Sequence, residues 1–152
     1  MHKSIKQSIV MIITAVLFVF PLILCGCTKN NKNDVYISEV NNFYNKLVSY
    51  DAKINHIDAK DKNASDELLA ILDDMNRDFK AFAELPVPAE TPEAKEHAQN
   101  ASAFMAEATE YYHKALEGEK VDEMALSNAK LSYGNAVTEI KNVGVALQNS
   151  GN

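Results

Sequence analysis

Few residues in this chain combine a reactive type with a useful spacing. Two thiols stand two positions apart at Cys25 and Cys27, and they are the only cysteines. A thiol is an acceptor for acyl or alkyl groups once it is held in the right enzyme. Glu110-Tyr111-Tyr112-His113 gives a Glu-x-x-His tetrad. Two such tetrads with two further inward acids make a di-metal carboxylate centre in a helical bundle. Here the tetrad occurs once. At about 100° per residue, both Glu110 and His113 rotate away from the face marked by Ala108 and Tyr112, so the expectation is a solvated pair and no metal.

His97 differs, because it shares a helical face with Ala94, Ala101, Phe104 and Ala108. Two readings follow: a boundary histidine bonded to a carbonyl or a tyrosine, or a ligand-binding or pH-sensing group. His56 lies opposite its own apolar stripe and reads as solvated. The alanines around His97 let a neighbouring helix approach closely. Alternatively, alanines facing Tyr36, Tyr50 or Tyr133 leave a slot for a small apolar ligand oriented by phenols. The ligand-facing candidates are then His97, Phe104, Tyr112 and Tyr133. Nucleophilic catalysis finds no candidate: no His-Glu-x-x-His occurs and no glycine-rich loop cradles a phosphate. The sequence predicts a protein that is not an enzyme and uses no cofactor.

Helices must position these residues. Tyr36, Val40, Phe43, Leu47, Tyr50, Ile54 and Ile57 alternate by four and three, which is one helical stripe. Asp34 is the expected N-cap. Ser65, followed by Asp66 and Glu67, predicts a second start, with a stripe of Leu68, Leu72, Met75, Phe79 and Phe82. That helix stops before Pro86 and Pro88, which lack an amide hydrogen. Thr91-Pro92-Glu93 is a third start. Its stripe is Ala94, Ala98, Ala101, Met105, Ala108, Tyr112 and Ala115, closed by a left-handed cap at Gly118. Asp122 caps a fourth helix carrying Leu126, Ala129, Tyr133, Val137, Ile140, Gly144 and Leu147. Four such helices on short loops predict an all-α fold, an up-down-up-down antiparallel four-helix bundle over residues 34–149. In that topology the turns at 61–65 and 118–122 lie at one end, and the turn at Pro86 and Pro88 lies at the other.

The segment ahead of the bundle reads as an export leader. Lys3 and Lys6 precede an apolar run, residues 9–24, interrupted only by Thr14 and Pro21. Sixteen residues fall short of the roughly 20 that a spanning helix needs. The run ends in Leu24-Cys25-Gly26-Cys27, which resembles the lipobox of bacterial lipoproteins. The resemblance implies that Leu24 and Gly26 are read by the lipoprotein signal peptidase, that cleavage follows Gly26, and that the Cys27 sulfur carries a diacylglycerol. Cys25 departs from the usual alanine, serine or threonine.

Residues 1–26 are then a signal peptide, and residues 27–33 are the lipidated cysteine with a polar tether of Thr-Lys-Asn-Asn-Lys-Asn. Those six tether residues span roughly 20 Å when extended.

The whole pattern is similar to the small all-helical lipoproteins of Gram-positive bacteria. Leu85-Pro86-Val87-Pro88 is similar to a Leu-x-x-Pro junction in such chains, though the resemblance transfers no active residues. It implies a cell-membrane location, lipid-anchored on the extracytoplasmic face, and a binding or scaffolding module of the cell envelope whose distal turns meet a protein partner. The formal charge of −6 includes Lys3 and Lys6, so loss of these two positive charges takes it to −8. An acidic domain gains nothing from counterion release on a phosphate backbone, and nucleic acid is excluded as a partner. Two other functions remain open at this level: a carrier or sensor of a small apolar ligand, and a pheromone precursor, since residues 19–26 resemble peptides cut from some lipoprotein leaders.

Overall fold

The computed structural model describes residues 31–150. The leader, Leu24, Gly26 and Cys27 lie outside the described residues. Four helices follow one another: α1 (Asn31–His56), α2 (Ala64–Ala83), α3 (Pro92–Leu116) and α4 (Glu123–Ser150). Among the described residues there is no strand.

The apolar spacing explains what each helix hides. Every residue of the expected stripes on α1, α2 and α3 is buried. On α4, Leu126, Ala129, Val137, Ile140 and Gly144 are buried, while Tyr133 and Leu147 are half-buried. Ala125, Ala136, Val143 and Ala146 are buried as well, so the hidden arc of α4 is wider than one stripe and serves two neighbours.

The helix pairs meet through different chemistry. Between α1 and α2 the contact is aromatic: Phe43 stacks on Phe82 at 4.3 Å between ring centroids and meets Phe79 edge-on at 5.0 Å. Tyr36 stacks on Phe82 at 6.5 Å. The Tyr50 hydroxyl donates to Asp78 Oδ2 at 2.8 Å, and Lys46 Nζ donates to the other oxygen at 2.7 Å. α3 and α4 bury alanines instead: Ala94, Ala98, Ala101, Ala108 and Ala115 on α3, and Ala125, Ala129, Ala136 and Ala146 on α4. Side chains this small let backbones come close, and α3 and α4 are the most intimately packed pair. The Tyr44 hydroxyl ties α1 to α4 by donating to the Ile140 carbonyl at 2.9 Å.

Helix ends follow the sequence in two places and depart from it in three. Thr91 stands at the N-cap of α3 with Pro92 next, although its hydroxyl turns back to the Pro88 carbonyl at 3.2 Å. Asp122 caps α4 as expected, its Oδ1 accepting from the amides of Met124 and Ala125 at 3.0 Å.

Asp34 is not a cap, because α1 starts at Asn31. It lies in the first turn, where its charge still suits the helix dipole. Ser65 is inside α2, whose N-cap is Asn63. There Asp61 organises the turn by accepting from the Asn63 amide at 2.8 Å, which leaves Ser65 no capping role. Gly118 does not adopt the left-handed conformation. Instead the Asp122 amide donates to the Ala115 carbonyl at 3.1 Å and satisfies the helix end without it.

Lys95 completes the α2 terminus, donating through Nζ to the Ala83 carbonyl at 2.8 Å. The alanine seam generates a direct test. Ala101→Leu, at a fully buried position, is expected to lower stability by about 1–3 kcal/mol in urea unfolding. An unchanged midpoint would show that α3 and α4 leave room there.

Candidate functional site

The four ligand-facing candidates do not converge. His97, half-buried on α3, bonds through Nδ1 to Glu139 Oε2 of α4 at 2.6 Å. Its partner is a carboxylate on the neighbouring helix, not a carbonyl or a tyrosine. Tyr112 lies fifteen residues further along α3, about 22 Å away at 1.5 Å per residue. Phe104 is partly buried against the core between them. Tyr112 is only 3% exposed. It neighbours Tyr133 closely enough that each phenolate would oppose the other's charge.

Tyr112 on α3 and Asp51 on α1 both lie near enough to Tyr133 on α4 to act on it electrostatically, and the three constitute one electrostatic cluster. Burial pushes the Tyr112 hydroxyl up to about 12. Burial also raises Tyr133, with smaller contributions from Tyr112 and Asp51. Burial raises the Asp51 carboxyl too, opposed by a hydrogen bond from Asn55. Asp51 Oδ1 is buried without a hydrogen-bond partner among the described residues. Phenols held neutral at physiological pH orient a polar group but do not exchange protons with it. Tyr36 and Tyr50 do not join this cluster, because both are engaged with α2.

His113 departs from its expected solvated position. Its Nε2 lies 2.9 Å from Asp73 Oδ1 of α2, and its Nδ1 lies 2.6 Å from Glu117 Oε1. The hydrogen bond to Glu117 raises its pKa most, burial opposes the rise, and Asp73 adds to it. Glu117 was legible as the residue four further along the same helix. Asp73, forty residues earlier, was not, since only the α2–α3 packing brings it near. Glu110 is exposed, as its rotation on the helix requires. The two carboxylates sit on opposite ring nitrogens and so cannot converge on one ion. Among the described residues no group of three His, Cys, Asp or Glu is arranged to hold a metal.

A concavity of about 460 Å³ lies between α1 and α2. Ala52, Ala70 and Ile71 give it an apolar floor, Lys53 and His56 line the α1 wall, and Glu67 and Asp74 line the α2 wall. Lys53 is held over the Tyr50 ring at 5.2 Å. A second, smaller hollow of about 100 Å³ sits further along the same helix pair, beside Phe43 and Phe82. Phe43 and Phe82 border the smaller hollow, while the larger one opens where small side chains, Ser49, Ala52 and Ala70, face each other. Nothing in the sequence marked this groove, since its residues come from the polar flanks of two stripes. No family model, curated protein or solved structure matches the chain.

His113 supplies a pH test. Its raised folded-state pKa means that the folded protein binds the proton more tightly than the unfolded chain does. The resulting stabilisation is complete below the ordinary histidine value of 6.5 and fades as pH rises through the folded value above it. His113→Gln is therefore expected to be most destabilising, relative to the parent, in mildly acidic solution and least so in alkaline solution. Chemical denaturation across that range checks the sign, and a difference independent of pH would contradict it.

Proposed function

We propose that this chain is a lipid-anchored, non-catalytic binding or scaffolding module on the outer face of a bacterial membrane. Its helices form an up-down-up-down antiparallel bundle. The observation that carries the reading is Leu24-Cys25-Gly26-Cys27, placed between a lysine-led apolar run and a helical domain that begins at Asn31. A diacylglycerol on Cys27 would hold the protein at the surface, since two acyl chains at about 0.8 kcal/mol per buried methylene anchor stably. None of the described helices is long and apolar enough to cross a membrane.

Several contacts support the bundle topology. Tyr36 meets Phe82 while Tyr50 meets Asp78. Lys95 meets Ala83 while His113 meets Asp73. His97 meets Glu139 while Ser132 donates to Glu107 at 2.8 Å. In each pair, numbers rise on one helix as they fall on the next. The larger α1–α2 groove then lies towards the end remote from the anchor, open to an envelope protein. Its basic and acidic walls over an apolar floor suit a peptide segment with mixed charge.

Two measurements test this reading. Radiolabelled palmitate is expected to enter the parent and not Cys27→Ser, and equal labelling of both would remove the anchor. A photo-crosslinking residue at Ala70, in the groove, is expected to trap one recurring envelope protein in cells, whereas the same residue at exposed Glu84 traps none. Equal, random trapping at both sites would remove the partner.

A second reading, a carrier of a small ligand, draws on the buried Asp51 oxygen beside Tyr133. A ligand that binds only the folded state raises the melting temperature. A quinone or lipid that does so for the parent but not for Tyr133→Phe would favour this reading.

A further inference from the structure

Among the described residues five large apolar side chains are exposed: Val35, Val48, Met124, Leu131 and Val145. Three of them lie on α4 at multiples of seven residues, at 77%, 65% and 52% exposure respectively. Thr138, also exposed, fills the missing place in that series. Four asparagines interleave with them, Asn128, Asn135 and Asn142 half-buried and Asn149 exposed, giving Met124, Asn128, Leu131, Asn135, Thr138, Asn142, Val145 and Asn149, an unbroken alternation of four and three. This seam lies on the opposite side of α4 from Ala129, Tyr133 and Ile140, the residues turned into the core. It contains no charge, in a chain whose formal charge is −6.

A 3.5-residue repeat along an exposed helix face is the pattern that fits a second helix. We infer that the outer face of α4 is a self-association surface, on which two copies of this chain pair their α4 helices in parallel and in register. The asparagines choose both the occupant and the direction. A carboxamide carries a donor and an acceptor, so it satisfies a copy of itself. In a parallel pair each asparagine faces its own counterpart, and Leu131 faces Leu131. In an antiparallel pair Met124 faces Asn149, and Leu131 faces Asn142, which sets every amide against an apolar group or against the Thr138 hydroxyl, already donated to the Gly134 carbonyl at 2.9 Å.

Gly134 is a second, independent pointer. It is exposed in the middle of α4, and a Cβ placed on it would meet nothing within 4 Å. Mid-helix glycine weakens a helix, and no packing among the described residues requires it. Beside Leu131 and Thr138, it opens the flank to a close neighbour. An asparagine-rich seam trades strength for register, so the pair is reversible. A parallel pair also leaves both copies of the α1 start at one end, compatible with two anchors in one membrane, although the inference does not depend on lipidation.

The test uses the full chain carrying Thr138→Cys, oxidised and run without reductant beside the parent, whose own Cys25 and Cys27 set the background. A covalent dimer above that background is expected, and Leu131→Glu added to the same chain is expected to abolish it. Circular dichroism confirms that the helices persist in that double variant, as they should for an exposed position. No dimer above the parent would overturn the inference, and so would a dimer indifferent to Leu131→Glu. A mixture of Thr138→Cys and Asn135→Cys chains that crosslinks better with each other than with themselves would overturn the parallel register.

Discussion

The close approach of α3 to α4 is the constraint on which the remaining structure depends. It rests on alanines at successive turns of both helices, almost all of them shielded completely. Methyl groups contribute little hydrophobic area each. What they allow is proximity, which brings the rest of each helix surface within reach of its neighbour. Two side-chain bonds, His97 to Glu139 and Ser132 to Glu107, bridge the helices along this seam. The opposite half of the molecule uses the opposite strategy. Four rings, Tyr36, Phe43, Phe79 and Phe82, hold α1 and α2 at ring-stacking distance, and shallow grooves run between them. One half is narrow and full, and the other is wide and creased.

That asymmetry decides what the polar side chains can do. His97 bonds through Nδ1 to a carboxylate of the facing helix, and His113 bonds through both ring nitrogens, to a facing carboxylate and to one of its own turn. Tyr44, Tyr50 and Ser132 spend their hydroxyls on joining one helix to another. Most groups with chemical capacity are thus fasteners, and their directional bonds fix the rotation of each helix about its axis. Greasy packing alone leaves that rotation loosely set. Three groups are exceptions: the Tyr36 hydroxyl, Asp51 Oδ1 and Asn76 Oδ1 are buried without a hydrogen-bond partner among the described residues. Beside Asp51 the phenols stay protonated.

Much of this was legible in the residue order, because a repeat of four and three records the buried face of a helix directly. The stripes of α1, α2 and α3 are hidden to the last residue, and Asp122 binds the amides that its position demanded. The parts that were not legible depend on competition between neighbours or on distance along the chain. Asn31 to Asp34 contains no residue that forbids a helix, so α1 begins earlier than its best capping candidate. Asp61 arranges the second start ahead of Ser65, and a bond from the Asp122 amide leaves Gly118 with nothing to cap. The link from His113 to Asp73 exists only once α2 and α3 have met. The second repeat on α4 was present in the letters too, but it acquires meaning only when Met124, Leu131 and Val145 are known to face outwards.

The looser half also carries the end of the chain that the proposed anchor on Cys27 would hold. Any pull on the segment ahead of Asn31 reaches α1 before anything else, and α1 is fastened by ring stacking, the Asp78 bonds and the Tyr44 bond to α4. Such contacts yield one at a time, in the manner of a zip, while the alanine seam behind them would have to shear as a block. The molecule has a yielding end and a stiff end, and under the proposed anchoring a load would meet the yielding one first.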